Sequence, residues 1–326
     1  MKKVLVTARK EDVKKVESIL EDRLYFSTTK ADLIQVTLYI HDKELNDIID
    51  ALRETIDLRY KECMIEVFTP DFIISPTLER TREKTSESKE ETPVEKIIES
   101  TKPYLELDMS KIILTSVAGA IALTGLFMDN VAVIIGAMLL APLLGPIYAF
   151  TINTAMGKGR DVFKSVGILA VLILMVVFFA FVITLLLDQV IELRLTDEIL
   201  ARMSSNPIYI LMALLLGFAS IIALSRDIPE GIAGVAVAAA LLPPAAVAGI
   251  SFVLYPSRML APCILTLQNV LGLMAGSLIA TLLLNIGPRA YYKKVLAKKL
   301  IFRAMIVLLL LLLFLSVLSY FHIGGS

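Results

Sequence analysis

The chain has no tryptophan, and only two histidines and two cysteines among its 326 residues. Cys63 and Cys263 lie 200 positions apart, one in a polar region and one in an apolar run. That excludes a disulfide framework and suits a reducing environment around Cys63. His41 and His322 form no HExxH or Cys/His cluster, and no nucleophile–base pair can be built on them. Neither an enzyme nor a bound cofactor or metal is expected. Charge is scarce as well: charged residues are 20% of the total against 56% hydrophobic, and 32 basic side chains balance 32 acidic ones. A net charge of zero offers nucleic acid no electrostatic footprint. Met1-Lys2-Lys3 leads into only a short apolar stretch, unlike a secretory leader. Mean hydropathy of +0.75 is too high for an ordinary soluble protein.

Residues 1–76 contain no glycine, so no loop there can cradle phosphate in the P-loop manner. Their periodicity alternates between two and 3.6. Val4–Val6 reads as a strand and Lys10–Asp22 as a helix facing inward through Val13, Val16, Ile19 and Leu20. Strands follow at Tyr25–Thr29 and Leu33–Ile40, then a helix from Asp42 or Lys43 to Ile56 and a strand at Met64–Phe68. The order βαββαβ predicts a soluble ferredoxin-like domain. Its 12 basic and 15 acidic residues make a mixed surface suited to regulation or assembly. His41 reads as structural. From Glu79 to Glu91 nine of thirteen residues are charged, which predicts a flexible linker within 77–104. Val94–Lys102 reads as a short surface helix.

Hydropathy then predicts an α-helical membrane protein with about seven spans: Ile112–Phe127, Val131–Met156, Ser165–Leu187, Ile208–Leu224, Gly231–Leu254, Pro262–Ile286 and Ala304–Phe321. Tyr104, Tyr209, Tyr255, Tyr291, Tyr292 and Tyr320 fall near the ends, where amphipathic rings meet headgroups. With the soluble domain cytoplasmic and every span crossing, Lys and Arg in the breaks count ten inside against three outside. Re-entrant second and fifth spans would reduce this to eight against five. A cell-membrane, multi-pass protein with its C-terminus outside is expected, with lipid bilayer, a small ion or solute and other copies of itself as partners.

Leu139-Leu140-Ala141-Pro142 matches Leu241-Leu242-Pro243-Pro244 at an offset of 102. The spans on either side align at the same offset, giving repeats at 105–190 and 191–290 with a connector and last helix at 291–326. Three spans per unit turn the second upside down, an inverted 3+3 repeat. Proline inside a helix removes a donor and clashes with the carbonyl four residues back. Pro142, Gly145 and Pro146 interrupt the second span, and Pro243 and Pro244 the fifth. Paired interruptions of this kind mark the binding region of inverted-repeat transporters.

No span carries a charge near its centre, so polar candidates are neutral: Thr115, Ser116, Asn153, Thr154, Ser220, Gln268 and Asn269. Asp129 and Asn130 stand at one mouth, Asp227 and Glu230 at the other, where they can attract cations or simply cap helices. Gly272 and Gly276 form a GxxxG pair for close helix approach, within the fold or between protomers.

The run Gly136-Ala137-Met138-Leu139-Leu140-Ala141-Pro142-Leu143-Leu144-Gly145-Pro146, joined to Leu241-Leu242-Pro243-Pro244 and preceded by Asn130, resembles the "domain of unknown function 389" family of hydrophobic prokaryotic proteins. The resemblance covers roughly residues 105–290. It implies an integral membrane protein, often with a soluble N-terminal extension, and supplies no established activity, substrate or catalytic residue. Secondary transport or channel function is the leading expectation. A membrane-anchored sensor or scaffold, whose soluble domain binds a ligand, is the alternative.

Overall fold

A computed structural model describes the chain except residues 1, 21–24, 31, 41, 69–93, 204–206, 289–290 and 324–326. His41, Arg289 and the charged stretch Glu79–Glu91 therefore lie outside the described residues. Two compact units, Met1–Pro93 and Val94–Ser326, make up the chain.

The first unit contains strand β1 (Lys2–Arg9), helix α1 (Val13–Leu20), β2 (Tyr25–Lys30), β3 (Leu33–Ile40), α2 (Asp42–Thr55) and β4 (Met64–Phe68). Its sheet has the order β2-β3-β1-β4 with every pairing antiparallel, the arrangement expected of a βαββαβ sandwich. Register opposes Val4 to Leu38, Val6 to Val36 and Ala8 to Ile34, so one face carries all six. Val16 and Leu20 of α1 and Leu45, Ile48, Ile49 and Leu52 of α2 cover that face, and Cys63 joins the same core. The first helix begins later than its periodicity suggests, because Lys10–Asp12 forms a 3₁₀ turn.

The second unit begins with α3 (Val94–Thr101) and a 3₁₀ turn at Lys102–Leu105. Then come α4 (Met109–Phe127), α5 (Val131–Leu140), α6 (Leu144–Ala155), α7 (Gly159–Asp188), the short α8 (Asp197–Leu200), α9 (Pro207–Ser225), α10 (Glu230–Leu254), α11 (Leu260–Leu283) and α12 (Tyr291–Ile323). Six of these, α4, α7 and α9–α12, are long and apolar enough to cross a membrane. The pair α5–α6, bent by 50°, would add a seventh if it counts as one span. Helix α12 starts well before the hydropathic span at Ala304, because the basic residues from Lys294 to Arg303 continue the helix.

Both corners before the proline-bearing segments are built alike. Asp129 and Asp227 adopt left-handed conformations, φ 50° and 55°, just past the ends of α4 and α9. In each, a backbone N–H reaches back five residues: Asn130 to the Gly125 carbonyl at 2.9 Å, Ile228 to the Ala223 carbonyl at 3.0 Å. These are Schellman-type closures with an aspartate where glycine is commoner.

Where α9 crosses α11, a side chain on Gly217 would strike the Leu273 carbonyl and one on Gly276 the Leu214 carbonyl. Gly272 faces Ala213, whose Cβ would be 2.8 Å from a new methyl. The GxxxG pair thus serves contact within the fold.

Candidate functional site: the interrupted helix and the Asn269 amide

The second span breaks where expected. Ala141 is extended (φ −79°, ψ 114°), the backbone preferred by a residue preceding proline, so α5 ends there. Leu143 N–H turns back to the Ala141 carbonyl at 2.9 Å, and α6 starts at Leu144. Pro146 is its third residue, where a backbone N–H would have no intrahelical acceptor, so proline forfeits no helical hydrogen bond. Gly145 accommodates the ring of Tyr104, which a methyl group on Gly145 would strike.

All twelve residues of α6 are buried, including Thr151, Asn153 and Thr154. Tyr148, 1% exposed, donates its hydroxyl to the Ser220 carbonyl at 2.9 Å. The Thr151 and Ser277 hydroxyls meet at 2.7 Å, joining α6 to α11. Ser220 is five residues from the end of α9 and Ser277 six from the end of α11, while Leu144 reaches Gly234, four residues into α10. Helix α6 therefore occupies one end of the bundle. Ile97 and Thr101 of α3 are buried at 2% exposure each, and α3 packs on α6. Tyr104 lies with its ring centroid 6.5 Å from that of Tyr148. Burial and then a hydrogen bond to Glu230 push the Tyr104 hydroxyl up, so it stays neutral and donates to that carboxylate.

The fifth span departs from expectation. Pro243 and Pro244 sit inside α10, which runs unbroken from Glu230 to Leu254. The physical reason is 29 positions away in sequence. Pro244 deprives the Ala240 carbonyl of its helical donor, and Asn269 of α11 supplies a replacement through Nδ2 at 2.7 Å. A carbonyl capped from a neighbouring helix no longer forces the backbone to open. From Ala240 to Ser251 every residue of α10 is buried. Ala240 is ten residues, about 15 Å, from the start of α10, near the middle of the bundle.

The other amide atom of Asn269 is left over. Oδ1 is, among the described residues, the buried side-chain polar atom without a hydrogen-bond partner, on a residue 2% exposed. Gln268, beside it and 1% exposed, is itself engaged.

The remaining candidates stay apart from this point and bond locally. The Thr115, Ser116, Thr154 and Ser220 hydroxyls and the Asn153 amide each donate to a carbonyl three or four residues back on their own helices. At the first mouth Asn130 caps α5 through its side-chain oxygen, to Ala132 N at 3.0 Å and Val133 N at 3.3 Å. Asp129 accepts from Glu198 N at 3.1 Å. Asp227 and Glu230 are exposed at the other corner, Glu230 in the first turn of α10. Among the described residues no group of three or more His, Cys, Asp or Glu could hold a metal ion. Tyr104, Tyr148, Thr151 and Ser277 were not legible as partners: their meetings span 72 and 126 positions for Tyr148–Ser220 and Thr151–Ser277, and Tyr104 precedes the spans.

Comparison with known proteins finds a relative and a family whose own functions are not described. An uncharacterised protein of Methanocaldococcus jannaschii is 25% identical over 292 residues, covering 89% of this chain and 88% of that one. No solved structure matches. The family described as "Domain of unknown function (DUF389)" matches residues 138–275, which hold α6, α10 and most of the Ala141 break's surroundings, so the resemblance carried by the proline motifs is borne out.

Proposed function

We propose that the chain is a membrane transport protein, a secondary transporter or channel, whose pathway runs between two three-helix units at the α5–α6 break and the proline-bearing part of α10. The observation that carries this reading is the Asn269 amide. It sits at mid-depth, repairs a helix that proline has opened, and keeps an unmet oxygen in a region where unmet polar groups are costly. Packing helices together requires neither the paired prolines nor that oxygen.

We read the second three-helix unit as an inverted copy of the first, an arrangement that fits transport. Helices α4 and α9 end in matching aspartate corners, and each packs on the third helix of its own unit, α7 or α11. Each second segment becomes wholly buried near its proline. The corners lie at opposite ends: Asp129, at the end of α4, meets Glu198, whereas Glu230 meets Tyr104, just before α4 begins. Asp129 also ties the end of α4 to the connector after α7. Helices α4 and α7 then finish at the same end, which favours α5–α6 as a complete crossing and seven spans in all. The basic loops would place the soluble unit and the Tyr104 end in the cytoplasm. No enzymatic role is proposed.

Reconstitution into proteoliposomes tests the proposal. Flux of an ion or small solute is expected with the intact protein and should fall in an Asn269→Leu variant. An absence of flux across a panel of alkali ions, halides, ammonium and small neutral solutes would count against transport.

A further inference from the structure

Asn269 presents its two amide atoms to different surroundings. Nδ2 donates to the Ala240 carbonyl, which can only accept, so the amide cannot be turned round and Oδ1 must face the other way. That oxygen is unpartnered on a residue 2% exposed. The Ala240 carbonyl, which Pro244 leaves without a helical donor, is already met by Nδ2, so the polar group left unmet beside it is an acceptor and not a donor.

That imbalance selects among ligands. An anion finds its own sign of partial charge. A divalent cation calls for carboxylates, and from Asp108 onward every Asp and Glu lies in a connector or a helix's first or last turn. A monovalent cation exchanges its hydration for neutral oxygens, as carbonyl-lined filters do, and an ammonium supplies N–H donors directly. We propose that Asn269 Oδ1 is the recognition point for a monovalent cationic group, either a bare alkali ion or an ammonium. This deepens the transport reading above and rests on it for physiological meaning.

The test uses the full chain in detergent micelles, with thermal unfolding followed as LiCl, NaCl, KCl or NH₄Cl replaces choline chloride at constant ionic strength. A saturable rise of a few degrees with at least one of these cations is expected. It should vanish in Pro244→Ala/Asn269→Leu, where the new backbone N–H meets the Ala240 carbonyl and leaves folding intact. No cation-specific rise, or an equal rise in the double variant, overturns the proposal. In unmutated protein the effective cation should also move the side-chain amide resonance of Asn269 in a selectively labelled sample, and a stationary resonance at saturating salt overturns it too. Cation binding without flux in vesicles would refute transport while upholding the site. Flux with no cation response at Asn269 would do the reverse.

Discussion

Replacing Asn269 by leucine should be damaging only while Pro244 is present. In the unmutated chain the Ala240 carbonyl, on a residue 1% exposed, relies on Asn269 Nδ2 at 2.7 Å. Removing that donor strands a buried acceptor, a loss of about 1–3 kcal/mol in soluble proteins. Interhelical hydrogen bonds in membranes average about 0.6 kcal/mol and reach about 1.7. Loss of the unpartnered Oδ1 offsets part of the damage. The net cost of Asn269→Leu should therefore be about 1 kcal/mol. In a Pro244→Ala background residue 244 donates to Ala240 in the ordinary helical way, and the same substitution should cost close to nothing. Reversible unfolding of the four proteins in mixed micelles, followed by circular dichroism, measures the coupling directly. Additivity within about 0.3–0.5 kcal/mol, the scatter expected of independent sites, would refute the claim that the amide repairs the proline's defect.

Three further outcomes follow from other parts of the molecule. Gly145→Ala should destabilise the protein by about 1–3 kcal/mol through overpacking against the Tyr104 ring, and Tyr104→Ala should recover much of that loss in the same unfolding assay. Gly276→Val should be more disruptive than Gly167→Val, because the first would push α11 off the Leu214 carbonyl whereas nothing lies within 4 Å of a side chain at Gly167; yield of monodisperse protein after purification compares them. In the first unit Arg59 holds the Asp57 carboxyl at about 2, below its usual 3.8, through side-chain and backbone hydrogen bonds. A depressed value means the contact's contribution is present above the ordinary carboxylate range and disappears as pH falls through about 2, and Arg59→Gln should return the Asp57 midpoint, read by carbon NMR, toward 3.8.

How much of this could be read from the amino acids depends on the range of the interaction. Helix positions in the second unit follow from local apolarity, and α10 begins at Glu230 where Gly231 was expected. The buried face of β3 follows from alternation in Leu33–Ile40, whereas β1 runs over Lys2–Arg9, well beyond the Val4–Val6 that apolarity marks. The Ala141 break is also local, since Pro142 acts on the residue before it. The continuity of α10 is different. Pro243 and Pro244 make a stronger breaking signal than Pro142 alone, but Asn269 overrides it from another helix, and no periodicity reports such a partner. Gln268 and Asn269 were legible as unusual residues, while their geometric roles were not.

Helix α6 has a bearing on how the protein is made. Twelve residues reach about 18 Å, short of a hydrocarbon layer about 30 Å thick, and this segment carries Tyr148, Thr151, Asn153 and Thr154. It is apolar enough to cross only together with α5, and its own polar side chains need partners from elsewhere in the fold. Its hydrogen-bond partners, the carbonyl of Ser220 and the hydroxyl of Ser277, are synthesised later. A chain truncated before α11 should therefore be left with Thr151 lacking its Ser277 partner in a buried helix, and be cleared by quality control.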